Sequence, residues 1–226
     1  METALDNPVW HALTPLPDGL TMKRQHAARF APDVSPFFAI DRPTLQAYAE
    51  LRTLIGDAPE ARMFRPAPEP VPPGWQKTFE KPIAQMVLRG RIDARTDGPA
   101  IHELGSDDLE EMLALAEQAR PGPFARRTHE LGTFLGIRQE GRLVAMAGER
   151  FRLPGYVEIS AVATHPACRG RGYGRLLTAA LAARIQAAGQ TPFLHVFPDN
   201  VAAARLYGAM GFVERARLTI VWLAAA

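Results

Sequence analysis

A mixed, largely antiparallel β-sheet flanked by helices, in the α/β (α+β) class, is the fold that this 226-residue sequence predicts. The stretch "TFLGIRQEGRLVAMAGERFRLPGYVEISAVATHP" reads as three consecutive strands turning at Glu140-Gly141 and Pro154-Gly155, which is an antiparallel meander. Beyond it Leu176, Leu177, Ala180, Leu181 and Ile185 recur at helical spacing up to Gly189, and "TPFLHVF" follows as a strand. Strand, helix and strand in that order make a crossover, which brings parallel pairing into the sheet and lays a helix on its face.

The other elements fall in order around this centre. "SPFFAI" is a short strand. "DRPTLQAYAELRTLIG" is a helix in which Asp41 is the expected cap and Pro43 suits the first turn, with Leu45, Tyr48, Leu51, Leu54 and Ile55 on one face. "RPAPEPVPPGW" holds five prolines, which exclude a helix or a central strand and predict an extended connection. "KPIAQMVLRG" is a strand, "DARTDGPA" a turn or domain boundary, and "IHEL" another strand. "GSDDLEEMLALAEQARPG" is a helix with a polar start at Ser106 and Asp107 and a stop at Pro121-Gly122. "PDNVAAARLYGAMG" is a short helix that Asn200 can cap. "FVERARLTIVWL" is the last strand, and its apolar end is a candidate edge for pairing with a second copy, a possible homodimer. The chain thus divides into an N-terminal accessory region, 1–98, and a domain over 99–226.

Composition narrows the function classes. A chain 47% hydrophobic and 22% charged is an ordinary globular one. Its formal net charge is only +2, its lysines are Lys23, Lys77 and Lys81 alone, and its arginines are dispersed, which argues against a nucleic-acid partner. No apolar run approaches the roughly 20 residues that cross a bilayer, so no membrane is expected. "METALDNPVWHAL" lacks the basic start and apolar core of a signal peptide, and a cytoplasmic location is expected. The single cysteine, Cys168, excludes an internal disulfide.

The most informative stretch is "HPACRGRGYGRLL", where Gly170, Gly172 and Gly174 alternate with charged and aromatic residues between a strand and a helix. A dinucleotide fingerprint needs its third glycine one residue later, and an NTPase phosphate loop needs a Gly-Lys-Ser/Thr end. A tight connection that merely relieves crowding remains open. Successive backbone N–H groups entering a helix nevertheless form a concave donor array suited to a diphosphate, and Arg169, Arg171 and Arg175 add charge at its rim.

"RGRGYG" resembles the Arg/Gln-x-x-Gly-x-Gly/Ala motif of the GNAT superfamily of N-acetyltransferases, and "VFPDNVAAARLYGAMGF" resembles the superfamily's asparagine, tyrosine and Gly-Phe segment. The resemblance covers the chain from Ala100 onward. It implies that the loop Arg169, Gly170, Arg171, Gly172, Tyr173, Gly174 and Arg175 binds the pyrophosphate of acetyl-coenzyme A. It also implies that Val162, with Thr164 nearby, meets the acetyl carbonyl and pantetheine, and that the Asn200 side chain contacts the cofactor. The 1–98 region lacks both motifs and is an accessory domain or a degenerate copy of the same fold.

Acetyl transfer to an amine sets the remaining expectations. A free alkylamine titrates near about 10, so a base is sought, and Glu158 is the candidate, sharing a strand face with Ser160 and Val162 by alternation. Tyr207 matches the superfamily tyrosine that protonates the leaving thiolate. Cys168 is incidental to the loop, and His165 and His195 lack a third metal ligand, so no metal is expected. Trp10, Trp75 and Phe124 are candidate pocket aromatics. The expected acceptor is a small-molecule or peptide amine. The alternatives are an acetyl-CoA-binding regulatory module with little turnover, and transfer to a hydroxyl or of a longer acyl group.

Overall fold

The computed structural model describes residues 3–92 and 98–226, so the boundary expected within "DARTDGPA" lies largely outside the described residues. A small antiparallel sheet comes first, β1 (Thr21–Lys23), β2 (Ala27–Phe30) and β3 (Phe38–Ile40), with helices α1 (Pro8–Leu13) and α2 (Leu45–Ile55). The large sheet takes β4 (Ala61–Arg65), β5 (Trp75–Leu88), β6 (Ile101–Leu104), β7 (Phe134–Gln139), β8 (Arg142–Leu153), β9 (Tyr156–Thr164), β10 (Thr191–Val196) and β11 (Phe212–Ala225). Helices α3 (Leu109–Ala119), α4 (Tyr173–Ala187) and α5 (Val201–Gly208) punctuate it.

The meander turns as the sequence predicts. Glu140 and Gly141 have φ of 51° and 78°, the pair of positive angles that a two-residue hairpin with native twist requires. The large sheet runs β4-β11-β5-β10-β9-β8-β7-β6, and among the described residues only β9 and β10 pair in parallel within it. Ile137, Ala145, Ile159, Leu177, Leu181 and Tyr207 belong to one buried cluster, which seats α4 and α5 on one face. On the opposite face α3 packs Met112 and Leu115 on Phe134, Met146 and Ala163, and α1 packs Val9 and Leu13 near Phe151 and Phe193.

Four expectations need correction. In α2 the cap is Thr44, whose side chain accepts from the Ala47 N–H at 3.1 Å, while Asp41 is engaged 2.9 Å from His26 Nδ1. Leu45, which opens the first turn ahead of the buried stripe, is 72% exposed. The C-terminal strand is no edge: Thr219–Leu223 pairs with β4 on one side and β5 on the other, so dimer pairing through it is ruled out. Nor does the 98/99 division separate two sheets, because β5 from the N-terminal region lies between β10 and β11. No helix among the described residues is long and apolar enough to cross a membrane.

Candidate active site

The glycine turn enters α4 as an open cradle. Gly170 and Gly172 both have φ of 79°, a left-handed conformation that residues other than glycine rarely adopt, and a Cβ at either would meet nothing within 4 Å among the described residues. The first helical acceptor is Gly172, bonded from the Leu176 N–H, and no side chain among the described residues caps the first turn. Among the described residues, the amides of Gly170 to Arg175 therefore have no turn or cap partner, and they begin a 15-residue helix. Tyr173 turns its ring into the core, where its hydroxyl accepts from Gln139 Nε2 at 2.7 Å, leaving its backbone to the cradle. Arg171 donates to Gln139 Oε1 at 3.2 Å, and Arg169 and Arg175 are exposed. An anion of diphosphate size fits this donor set.

Beside the cradle the sheet opens. Parallel pairing of β9 with β10 runs only from Tyr156↔Thr191 to Glu158↔Phe193, and the strands then separate. A bulge sharpens the opening: Gly148 pairs with Ser160 and Met146 with Ala163, so Ala161 and Val162 together oppose Ala147, and Ala161 takes φ of 50°. That extra residue breaks the alternation expected of this strand. Glu158 and Ser160 keep one face, but Val162 turns toward α4, where a Cβ on Gly174 would lie 3.5 Å from its Cγ1 and 4.0 Å from Thr164 Oγ1. The cradle and the opening are thus neighbours, joined at Gly174.

The opening leads into a cavity of about 390 Å³ lined by Ile159 to Val162 and by His195, Asn200 and Tyr207. Residues from the N-terminal region, Phe37, Arg62, Phe64 and Phe79, form its far wall with Arg150 and Trp222. Asn200 keeps its capping role, accepting from the Ala203 N–H at 3.2 Å, while bordering the cavity. Burial pushes the Tyr207 hydroxyl up to about 12, so the phenol keeps its proton throughout the neutral range.

Glu158 lies behind this wall, in a buried chain of polar groups that local sequence does not announce. Arg150 donates from Nε to Oε2 at 2.8 Å and from Nη2 to Oε1 at 2.7 Å, and His195 Nδ1 lies 2.6 Å from Oε1. The far nitrogen of His195 meets Gln85 Nε2 at 3.1 Å. Gln85 is oriented by Arg215, which donates to its Oε1, and by the Leu5 carbonyl, which accepts from its Nε2. With that amide orientation, His195 Nε2 accepts and Nδ1–H donates to Glu158. Burial alone would raise the Glu158 pKa, but the charge and hydrogen bonds of Arg150, with the His195 bond, bring it down to about 2. A fully buried carboxylate held that acidic and already accepting three bonds is a poor base. The base role expected of Glu158 does not fit, and its place is to hold Arg150 and His195 where β9 and β10 part.

Other expected residues sit apart. Cys168 is buried, its thiol 3.4 Å from Gln139 Oε1, and His165 Nδ1 accepts from the Ala167 N–H. Trp10, Trp75 and Phe124 do not line the cavity: Trp75 packs with Tyr48, and Phe124 against Phe134. The aromatic wall comes instead from Phe37, Phe64, Phe79, Phe197 and Trp222. Arg150 is the main residue that sequence reasoning missed. Its signal was an opposite charge at Glu158, across the hairpin that turns at Pro154-Gly155.

Comparison with known proteins agrees with this geometry. Residues 134–223 match the family model of FR47-like proteins. The crystal structure of a GNAT-family protein from Novosphingobium aromaticivorans superposes with a TM-score of 0.90 at 37% identity, covering 100% of both chains. A GCN5-related N-acetyltransferase from Kribbella flavida shares the fold, with a TM-score of 0.59 at 18% identity over 91% of this chain and 89% of its own. Mycothiol acetyltransferase from Mycobacterium leprae is 43% identical over 65 residues, which is 26% of this chain and 21% of that relative. The chain therefore spans about a fifth of the curated relative's length. Full-length similarity to the Novosphingobium protein, with the glycine cradle opening onto separated strands, makes this chain a member of the GNAT family of acetyltransferases.

Proposed function

We propose that the protein moves the acetyl group of acetyl-CoA to a primary amine by direct attack within a ternary complex, in the cytoplasm. One observation carries this: the amide cradle at Gly170–Arg175 opens beside Gly174 onto the gap where β9 and β10 part. Acetyl-CoA supplies a thioester whose diphosphate suits the cradle and whose pantetheine arm is narrow enough for the gap. The acceptor nitrogen bonds to the carbonyl carbon, the C–S bond breaks, and the nitrogen gives up its proton.

The cavity's own residues account for these steps. The apolar walls, with Arg120 and no carboxylate on the lining among the described residues, disfavour an ammonium and so favour the neutral amine. Among the described residues no carboxylate lines the cavity, so the proton leaves through water. Tyr207 acts as a hydrogen-bond donor to the departing sulfur. With a hydroxyl near 12 against a thiol near about 8.5, complete transfer from Tyr207 is uphill, whereas a hydrogen bond to the developing thiolate is favourable. Asn200 and Val162 flank the arm.

Calorimetric titration with acetyl-CoA, followed by mass spectrometry of an amine panel, tests the proposal. Binding with acceptor-dependent release of CoA is expected. Binding without release from any amine would favour the regulatory module instead.

A further inference from the structure

The cavity carries charge of one sign. Arg62, Arg120 and Arg150 line it, and no aspartate or glutamate does so among the described residues. A site for a polyamine needs the reverse, carboxylates spaced along the wall. Here the acceptor's nitrogen meets no carboxylate on the lining, while an anion it carries meets three guanidinium groups, of which Arg150 is already paired with Glu158 and Arg62 lies 3.9 Å from Glu60.

Arg150 defines that anion further. Glu158 occupies one edge of its guanidinium, through Nε and Nη2. The other edge, Nη1 with the second Nη2 hydrogen, has no acceptor among the described residues, although the side chain is only 10% exposed. A guanidinium edge holds two parallel N–H donors at the spacing of two carboxylate oxygens. The edge is not among the fully buried polar atoms without partners, so it opens onto the cavity, where a ligand carboxylate can take the place of water on it. The group is also fixed in orientation, since Phe151 and Phe37 lie 4.4 and 5.1 Å from its centre. Arg62 is likewise held, 4.3 Å over the Trp222 ring.

The remaining wall is apolar and large-ringed: Phe64, Phe79, Phe197, Trp222 and Ile220. At about 390 Å³ the cavity lies toward the small end of ligand sites. Resting on the acetyltransfer reading above, we infer that the acceptor is a small amine that also bears a carboxylate and an aromatic or bulky apolar body, as a hydrophobic α-amino acid does. The carboxylate docks on the free edge of Arg150, the ring on the Phe64–Trp222 wall, and the nitrogen turns toward the gap between β9 and β10.

The test uses product analogues, so that binding is read without turnover. Protein saturated with CoA is titrated by calorimetry with N-acetylphenylalanine, with N-acetylphenethylamine, which lacks the carboxylate, and with the phosphonate analogue. The carboxylate compound is expected to bind at least about tenfold more tightly than the phenethylamine compound. Arg150→Lys keeps a positive charge beside Glu158 but removes the fork, and it should abolish that preference while thermal unfolding confirms the fold. Arg62→Gln, away from Glu158, should reduce it. Equal affinity of the first two compounds, or binding of neither, overturns the inference while leaving the transferase reading intact. Tighter binding of the phosphonate overturns the choice of carboxylate. Failure of CoA itself to bind removes the transferase reading on which the inference stands.

Discussion

The turn from Arg169 to Arg175 and the wall from Arg150 to Arg215 both manage charge, yet they are built in opposite ways. The turn is local. Its donors are successive backbone amides, its glycines permit φ of 79°, and its arginines stand in solvent. The wall is assembled from distant strands: Gln85 on β5, Arg150 on β8, Glu158 on β9, His195 on β10 and Arg215 on β11 meet below the surface. A backbone cradle tolerates any anion of the right size, and changes in it act through ligand binding. A buried ionic chain is interdependent, so loss of one member strands the others.

That contrast predicts where the largest effect lies. Glu158→Gln should destabilise the fold by about 3–5 kcal/mol, because it leaves the Arg150 guanidinium buried without its carboxylate. Urea unfolding at neutral pH checks this, and a loss under about 1 kcal/mol would show that the chain is less coupled than its geometry implies. The same group gives the wild type an acid limb. The folded pKa is near 2, below the usual 4.5, so its stabilisation is fully present above about 4.5 and is lost as pH falls toward 2. Glu158→Gln should flatten unfolding free energy against pH in that window.

A smaller effect, of a different kind, is expected at Tyr207. Removing its hydroxyl in Tyr207→Phe should lower single-turnover rate by about 10- to 100-fold with acetyl-CoA affinity unchanged, since the bond matters only as charge develops on sulfur. Because burial holds the phenol near 12, the wild-type rate should show no alkaline decline from Tyr207 below about pH 11. An unchanged rate in Tyr207→Phe would return the residue to the core, where it already packs edge-on at 6.0 Å from Phe212.

The same contrast explains what was legible. The meander, the crossover, α4, α5 and the Asn200 cap follow from short-range patterns such as Glu140-Gly141 and the glycine turn, and all formed as expected. The place of β5 did not follow, because inserting residues 75–88 between β10 and β11 is a matter of long-range pairing. The bulge at Ala161 was equally hidden: nothing in "EISAVAT" marks an alanine for φ of 50°, yet that residue moves Val162 to the face opposite Glu158. The pocket aromatics were misassigned for the same reason, since Phe37, Phe64 and Trp222 converge only once β4 and β11 are paired.

The most direct test of the central claim is calorimetric binding of acetyl-CoA to the wild type and to Gly174→Glu, with thermal unfolding as the control for folding. Gly174 has ordinary backbone angles, and a Cβ there would sit in ordinary van der Waals contact with Val162 and Thr164 without a clash, so the variant should fold. A glutamate there would push a negative charge into the junction of cradle and gap. Binding in the wild type that weakens by about 100-fold or more in the folded variant is the predicted result. Equal affinity in the two proteins, or no binding by the wild type, would contradict the account.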